Sequence, residues 1–485
     1  MFAAAVALLL WPALLNGAPF IFADTTAYIR GADAGMYRLF GVTSDWTGIA
    51  GAPGAATAGG AGVPFAAAES QEVVLAGRSV FYGAFLYLGW AIEALWTTAL
   101  LQSAVTVLAV GLAGRRVMLA AGISPSLRDA TVLIVLLAAA TPVAFFAVFM
   151  MPDIFAALAL LAAAMLVGYW TTSTRFERSF WLACLTAGVL FHSATLLLIV
   201  TVALLVLFAR IFLQRGSVSR TGLTVVSLAI VVGMAGEILF SAGVTRLTGA
   251  PPVRPPFVAA RLIADGPARQ VLEEDCPVAG YTLCRHLNRL NDNSDVMLWS
   301  RDPAKGIFMA LPPDERRAVS TEQSSLVWRT VSDRPLAVAS STLAAMGRQV
   351  TSIELDDFNY GAAGRSPPSK AVPQPYADAL NGTRASTNGM PTQIVTGLSV
   401  LTTLVGSIVL IALLLGSAKR RALPANLRVM IVTVVLGVAA NAAICGALST
   451  PHGRYQARLI WLIPLVALLA WRATNLDQRI SEPAA

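Results

Sequence analysis

Charge is what this chain lacks most. Of its 485 residues only 13% are Asp, Glu, Lys or Arg, while 56% are hydrophobic. Soluble domains run at about 25% charged and about 45–50% apolar, so a soluble globule is excluded. The catalytic signatures of several enzyme classes are missing too. There is no P-loop, and no GxGxxG between a strand and a helix, which leaves nothing to cradle a nucleotide. No GxSxG supplies a nucleophile elbow, and no HExxH supplies a zinc-protease helix. No self-similarity at 20–50 residues points to a solenoid. No inverted pair of Gly/Pro-broken apolar segments points to a transporter repeat.

What is present is a series of long apolar runs from end to end, the mark of a polytopic membrane protein. The runs predict ten spans, at about 2–16, 90–113, 130–150, 154–170, 179–192, 194–209, 221–244, 393–416, 429–449 and 459–471, with both termini inside. On that threading the inner loops hold fourteen basic and four acidic residues, a net of +10, and the rest of the chain nets −2. The overall +8 therefore reads as positive-inside topology and not as a nucleic-acid footprint. The first run is short against the ~20 residues a bilayer core needs. A cleaved signal or an upstream start codon are its alternative readings, and each leaves Asp24 on the outer face.

The spans divide the chain into three modules: residues 1–244 with a long first outer loop at 17–89, an extracytoplasmic domain at 245–392, and residues 393–485 with the last spans and a cytoplasmic tail. In the first loop "GIAGAPGAATAGGAGVP" reads as a flexible stretch. "VFYGAFLYLGWAIEALW" reads as an aromatic interfacial helix. In the second, Leu336, Ala339, Leu343, Met346 and Val350 repeat at three and four, predicting a helix over 334–351 with one apolar face against the bundle or the membrane surface. Residues 361–391 read as a linker. Cys184 and Cys445 fall in spans as small hydrophobes. Cys276 and Cys284, eight apart on the oxidising side, are expected to form a disulfide; a zinc pair with His286 is the other reading, and no second ligand pair supports it.

Polar residues gather where the outer loops meet the membrane. Asp24 follows span 1 in "APFIFADTTAYIRGADA", with Tyr28 and Arg30 close behind. Asp153 lies in "FFAVFMMPDIFAALAL", His192 at the turn between spans 5 and 6, and Arg454, Tyr455 and Arg458 in "STPHGRYQARLIW". Ionisable groups at the bilayer are costly and argue for function. A carboxylate there can take the proton of an attacking hydroxyl, and arginine's planar fork matches phosphate oxygens. The set therefore suits transfer from a lipid phosphate.

An Asp just beyond span 1, an acid in the span 3–4 loop and a late "RY" before the final span resemble the C-type (GT-C) glycosyltransferase superfamily, over roughly residues 1–245 and 393–471. The resemblance implies a polyprenyl-phosphate sugar as donor, an envelope glycan, lipid or protein as acceptor, and a bacterial inner membrane with a periplasmic active face. It implies Asp24 and Asp153 as the catalytic carboxylates. Tyr28, Arg30, His192, Arg454, Tyr455 and Arg458 fall to substrate binding, His192 standing where several relatives carry a lysine. "ADTT" offers no paired acid beside Asp24, so no metal site is assigned. The alternatives are an O-antigen-type polymerase or ligase working through Arg285 and His286, a transporter or flippase using Glu93 and Glu237, and a non-catalytic assembly component.

Overall fold

The computed structural model describes residues 1–42, 44–46, 74–93, 95–212, 218–276, 278–361, 372–416 and 423–475. Among these the regular structure is helical, with two isolated parallel bridges, Phe20 to Phe149 and Leu75 to Val253. The chain is an all-α, multi-pass membrane protein. Among the described residues six helices are long and apolar enough to cross a bilayer: Trp96–Ala120, Ser193–Ile211, Arg220–Thr248, Thr392–Leu415, Ala425–Leu448 and Gly453–Thr474. Val80–Ala91 and Asp153–Tyr169 are apolar and shorter.

Several boundaries differ from the sequence reading for local reasons. The first apolar run is two short helices, Phe2–Leu9 and Trp11–Asn16, the second with Pro12 in its first turn and ending at Gly17 with φ +91°. The run expected at 90–113 becomes the helix Trp96–Ala120, which starts after Leu95 in the left-handed region. The run expected at 130–150 stops at Ala140, because Pro142 has no N–H to continue the ladder. Residues 47–73, which hold the whole Gly/Ala stretch, and the side chain of Glu93 lie outside the described residues.

The centre of the bundle is the helix Asp153–Tyr169, whose seventeen residues are all buried. Small residues let its neighbours approach. A Cβ on Gly188 would lie 2.5 Å from Ala159 Cβ, and Cβ atoms on Gly222 and Gly437 would overlap the Leu166 carbonyl and the Leu160 side chain. Close approach of backbones is how membrane helices gain van der Waals contact where lipid offers no hydrophobic contrast. At the far end of this helix Thr174 and Glu177 form a capping box, and Glu177 pairs with both Arg115 and Arg116.

The segment 245–392 divides its side chains between two cores. Residues from Val253 to Leu326 build a core of their own, with Phe308, Leu272 and Met297 fully buried. Ile353, Leu355, Phe358, Tyr376 and Leu380 belong instead to the main bundle core. The stretch read as a linker contains a helix, Gln374–Asn381, whose Tyr376 ring meets Trp90 at 5.1 Å. Cys276 and Cys284 form the expected disulfide, while Cys184 and Cys445 are free and buried. His286 pairs with Glu315 at 2.8 Å, and so does Arg285 at 3.0 Å.

The helix expected over 334–351 is present as Pro335–Thr351, but its bundle-facing side is not the apolar stripe. Leu336, Leu343 and Val350 are 84%, 66% and 56% exposed. Ala345 and Gln349 are buried instead. The reason lies on the facing helix: Gly446 lets the Met346 backbone approach so closely that a Cβ there would meet Met346 Cα at 2.7 Å. A small-residue face fits that gap, and leucines do not.

Two outcomes check this packing. Gly188→Val is expected to destabilise the detergent-solubilised protein by about 1–3 kcal/mol through overpacking. Gly243→Val, where nothing lies within 4 Å, is expected to leave thermal unfolding nearly unchanged.

Candidate active site

Two short stretches bring the carboxylates together. Phe20 N–H donates to Val148 O at 3.0 Å and Met150 N–H to Phe20 O at 2.8 Å, so residues 18–24 run beside 148–151. Thr25 tightens the joint: its hydroxyl donates to Met150 O at 2.8 Å and accepts from the Phe22 N–H at 2.9 Å. Each strip then opens a helix. Asp24 stands in the first turn of Ala23–Phe40, and Asp153 is the first residue of Asp153–Tyr169. Both carboxylates thus sit at positive helix ends, where negative charge is favoured.

Asp24 keeps a third of its side-chain surface open and accepts from Arg78 at 2.6 Å. Burial pulls the Arg78 guanidinium down, and the Asp24 carboxylate outweighs it, holding the group above its ordinary value. One helical turn on, Tyr28 shares the Asp24 face and packs edge-on against Tyr82 at 5.2 Å. Burial first, then the Asp24 charge, pushes its phenol far above the ordinary range, so Tyr28 stays un-ionised and can donate. Arg30, two residues further, projects from the other side of the helix.

Asp153 is almost wholly buried among cations from the other end of the chain. Arg458 donates to it at 3.3 Å and to Asn441 Oδ1 at 3.1 Å, and Arg454 Nε lies 3.8 Å away. Arg454 and Arg458 are four residues apart on Gly453–Ile460, hence on one face, with the Tyr455 ring 5.5 Å from one and 5.6 Å from the other. Arg454 also lies over the Phe22 ring at 4.3 Å. Its Nε and Nη1 are shielded from solvent and make no hydrogen bond. His192 occupies the non-helical position between Arg175–Phe191 and Ser193–Phe212, with its Nδ1 buried and unbonded. The charges of Arg458, Asp153, Arg454 and Asp24 all act on it.

Asp24, Tyr28, Asp153, His192, Arg454, Tyr455 and Arg458 therefore form one neighbourhood. The sequence reading missed three members: Arg78, Asn441 and Asp357, whose carboxylate lies 3.6 Å from Arg454 Nε. Arg78 comes after the Gly/Ala stretch with no motif around it. Asn441 is a polar residue within the apolar run of its helix, the one signal available for it. Among the described residues no three His, Cys, Asp or Glu side chains group as metal ligands.

Chemically the group offers a reachable carboxylate, a buried guanidinium with donors to spare and an un-ionised phenol. Water is kept from the guanidinium by Phe22, Phe149 and Tyr455. An unused buried donor is costly, and the two on Arg454 leave it able to take an acceptor. Arg458 has the structural share: Arg458→Ala leaves Asp153 buried without its hydrogen-bonded partner and is expected to cost about 3–5 kcal/mol in thermal unfolding. Arg454→Ala, whose partners are longer ion pairs, is expected to cost clearly less.

No protein-family model matches the chain, and no curated protein matches its sequence. Among solved structures, the crystal structure of ArnT from Cupriavidus metallidurans in the apo state is similar to it. The likeness covers 98% of this chain and 76% of that one, at a TM-score of 0.30 and 16% sequence identity. At that score it places no residue, and the chemistry of the site is taken from the site itself.

Proposed function

We propose that the chain is an integral membrane glycosyltransferase that moves a sugar from a polyprenyl-phosphate carrier to a hydroxyl acceptor at the outer face. One observation carries this reading most directly. A half-buried carboxylate, Asp24, acts electrostatically on a buried guanidinium, Arg454, whose Nε and Nη1 have no hydrogen-bond acceptor. Base and anion site are the two things such a transfer requires. The sequence resemblance to the C-type glycosyltransferases points the same way.

In the proposed reaction the acceptor oxygen attacks the anomeric carbon as the bond from that carbon to the phosphate oxygen breaks. The acceptor proton passes to Asp24, and polyprenyl phosphate departs with its negative charge on the Arg454 donors. A single displacement inverts the anomeric centre. Arg78, 2.6 Å from Asp24, holds the carboxylate in place between turnovers. A strong base is not required, because the attacking oxygen becomes acidic only as its new bond forms. Asp153 and Arg458 fix the Arg454 helix, and the Tyr28 hydroxyl is placed to donate to the donor sugar or its phosphate. On this reading the segment 245–392 lies outside the cytoplasm, the termini lie inside, and the membrane is the inner membrane of a bacterium.

The competing ligase reading, through Arg285 and His286, is less supported because Glu315 holds both side chains. Wild type and Asp24→Asn, each in nanodiscs, separate the two on a panel of polyprenyl-phosphate sugars. The expected outcome is release of polyprenyl phosphate by wild type, with turnover lower by about 100- to 10,000-fold in Asp24→Asn and donor binding unchanged. Equal turnover in both proteins would remove Asp24 from the chemistry.

A further inference from the structure

The last turn of the site is gripped by residues far from any motif. Gln349 donates to the His452 carbonyl at 2.8 Å and accepts from its N–H at 3.0 Å. Asp295 meets His452 Nε2 at 2.8 Å, and Ser294 bonds Thr450. The Glu354 backbone runs so close to Gly453 that a Cβ there would clash with it. All four residues, Gln349, Asp295, Ser294 and Glu354, come from the segment 245–392, which the sequence reading left without a role.

Asp357 extends that grip into the site. Its carboxylate is 14% exposed and lies 3.6 Å from Arg454 Nε, on the same nitrogen that faces Asp153 at 3.8 Å. Both distances are ion pairs too long for hydrogen bonds, so they hold the charge of Arg454 without consuming its donors. The next three residues of the chain hold Asp357 in place. The Phe358 ring is fully buried with centroids 4.9–5.5 Å from Phe20, Phe145, Phe146 and Phe149. Asn359 donates to Met390 O at 3.1 Å and Thr392 Oγ1 at 2.9 Å, and the Tyr360 hydroxyl accepts from the Ile21 N–H at 3.3 Å. The residues anchoring Asp357 thus pack on the same 20–21 and 145–149 strips that lead into Asp24 and Asp153.

We propose that Asp357 is a positioning residue: it is the resident counter-ion of Arg454, aiming the guanidinium while leaving its Nε and Nη1 free for an entering phosphate. The proposal rests on the reading of Arg454 as the phosphate site. An anionic neighbour has two opposed effects. It weakens anion binding by charge repulsion, and it keeps the cation in the place where the leaving phosphate needs it. Removing the charge is therefore expected to separate binding from turnover.

The test uses the full chain in nanodiscs with geranylgeranyl phosphate as the anion probe. Asp357→Asn is expected to bind the probe about three- to tenfold more tightly and to turn over the donor about tenfold or more slowly. Asp357→Glu is expected to restore both toward wild type. Arg454→Gln is expected to abolish the gain in affinity when combined with Asp357→Asn, because the effect passes through that guanidinium. A general loss of structure lowers affinity and turnover together and cannot give the opposed changes. Unchanged or weaker binding in Asp357→Asn overturns the proposal, and so does a gain that persists without Arg454. Thermal unfolding of the two single variants and the double variant gives a readout independent of any ligand. Additive shifts mean that the pair is not coupled and overturn the proposal. Non-additive shifts in a wild type that binds no prenyl phosphate support the pairing and count against the transferase reading instead.

Discussion

Burying two guanidinium groups beside two carboxylates is the constraint around which this molecule is arranged. Arg454 and Arg458 sit on one face of a short helix, and Asp153 and Asp357 reach them from two other parts of the chain. A buried charge left without a partner costs several kcal/mol, so these four groups must arrive together or not at all. Their meeting fixes the start of the central helix, the turn before the final span and the descent of residues 353–360 into the bundle. The small residues at Gly188, Gly222, Gly437 and Gly446 serve the same end, since they let four backbones close to the distance at which the charges can meet.

The helical, membrane-spanning class was legible because hydrophobic run length and basic-loop asymmetry are read residue by residue. The members of the site were legible where a charge interrupts grease: Asp24, Asp153, His192, Arg454 and Arg458 each break an apolar context. Arg78 and Asp357 were not legible. Asp357 lies in a stretch already polar, so its charge carries no contrast, and Arg78 stands in no motif; their partners are 97 and 54 residues away. For the helix Pro335–Thr351 the period was correct. Of the two partners expected for its apolar stripe, bundle or membrane surface, the bundle is not the one it meets: contact there was decided by a glycine on another helix.

The segment 245–392 has a different standing in the structure from the one its composition suggests. Its first part has an apolar core of its own, as a separate domain does. Its last part lends Phe358 and Asp357 to the bundle, beside the strips that carry the catalytic candidates. The disulfide and the Glu315 pairs stiffen the first part, and the Gln349 and Asp295 bonds tie both parts to the turn at His452. What resembles an appended domain in sequence is thus one wall of the polar neighbourhood.

The partnership of Asp153 with Arg458 also bears on how the chain is made. The two residues are 305 positions apart, and Arg458 belongs to the final span. During synthesis the Asp153 helix leaves the ribosome long before any cation exists to neutralise it. Until the last helix arrives, that carboxylate must stay in the headgroups or be shielded by an insertion factor. Release of the nascent chain, and not insertion of its early helices, is then the moment at which the bundle can close. A truncation that removes only the C-terminal span leaves every earlier element intact and yet withholds the charge that lets them settle.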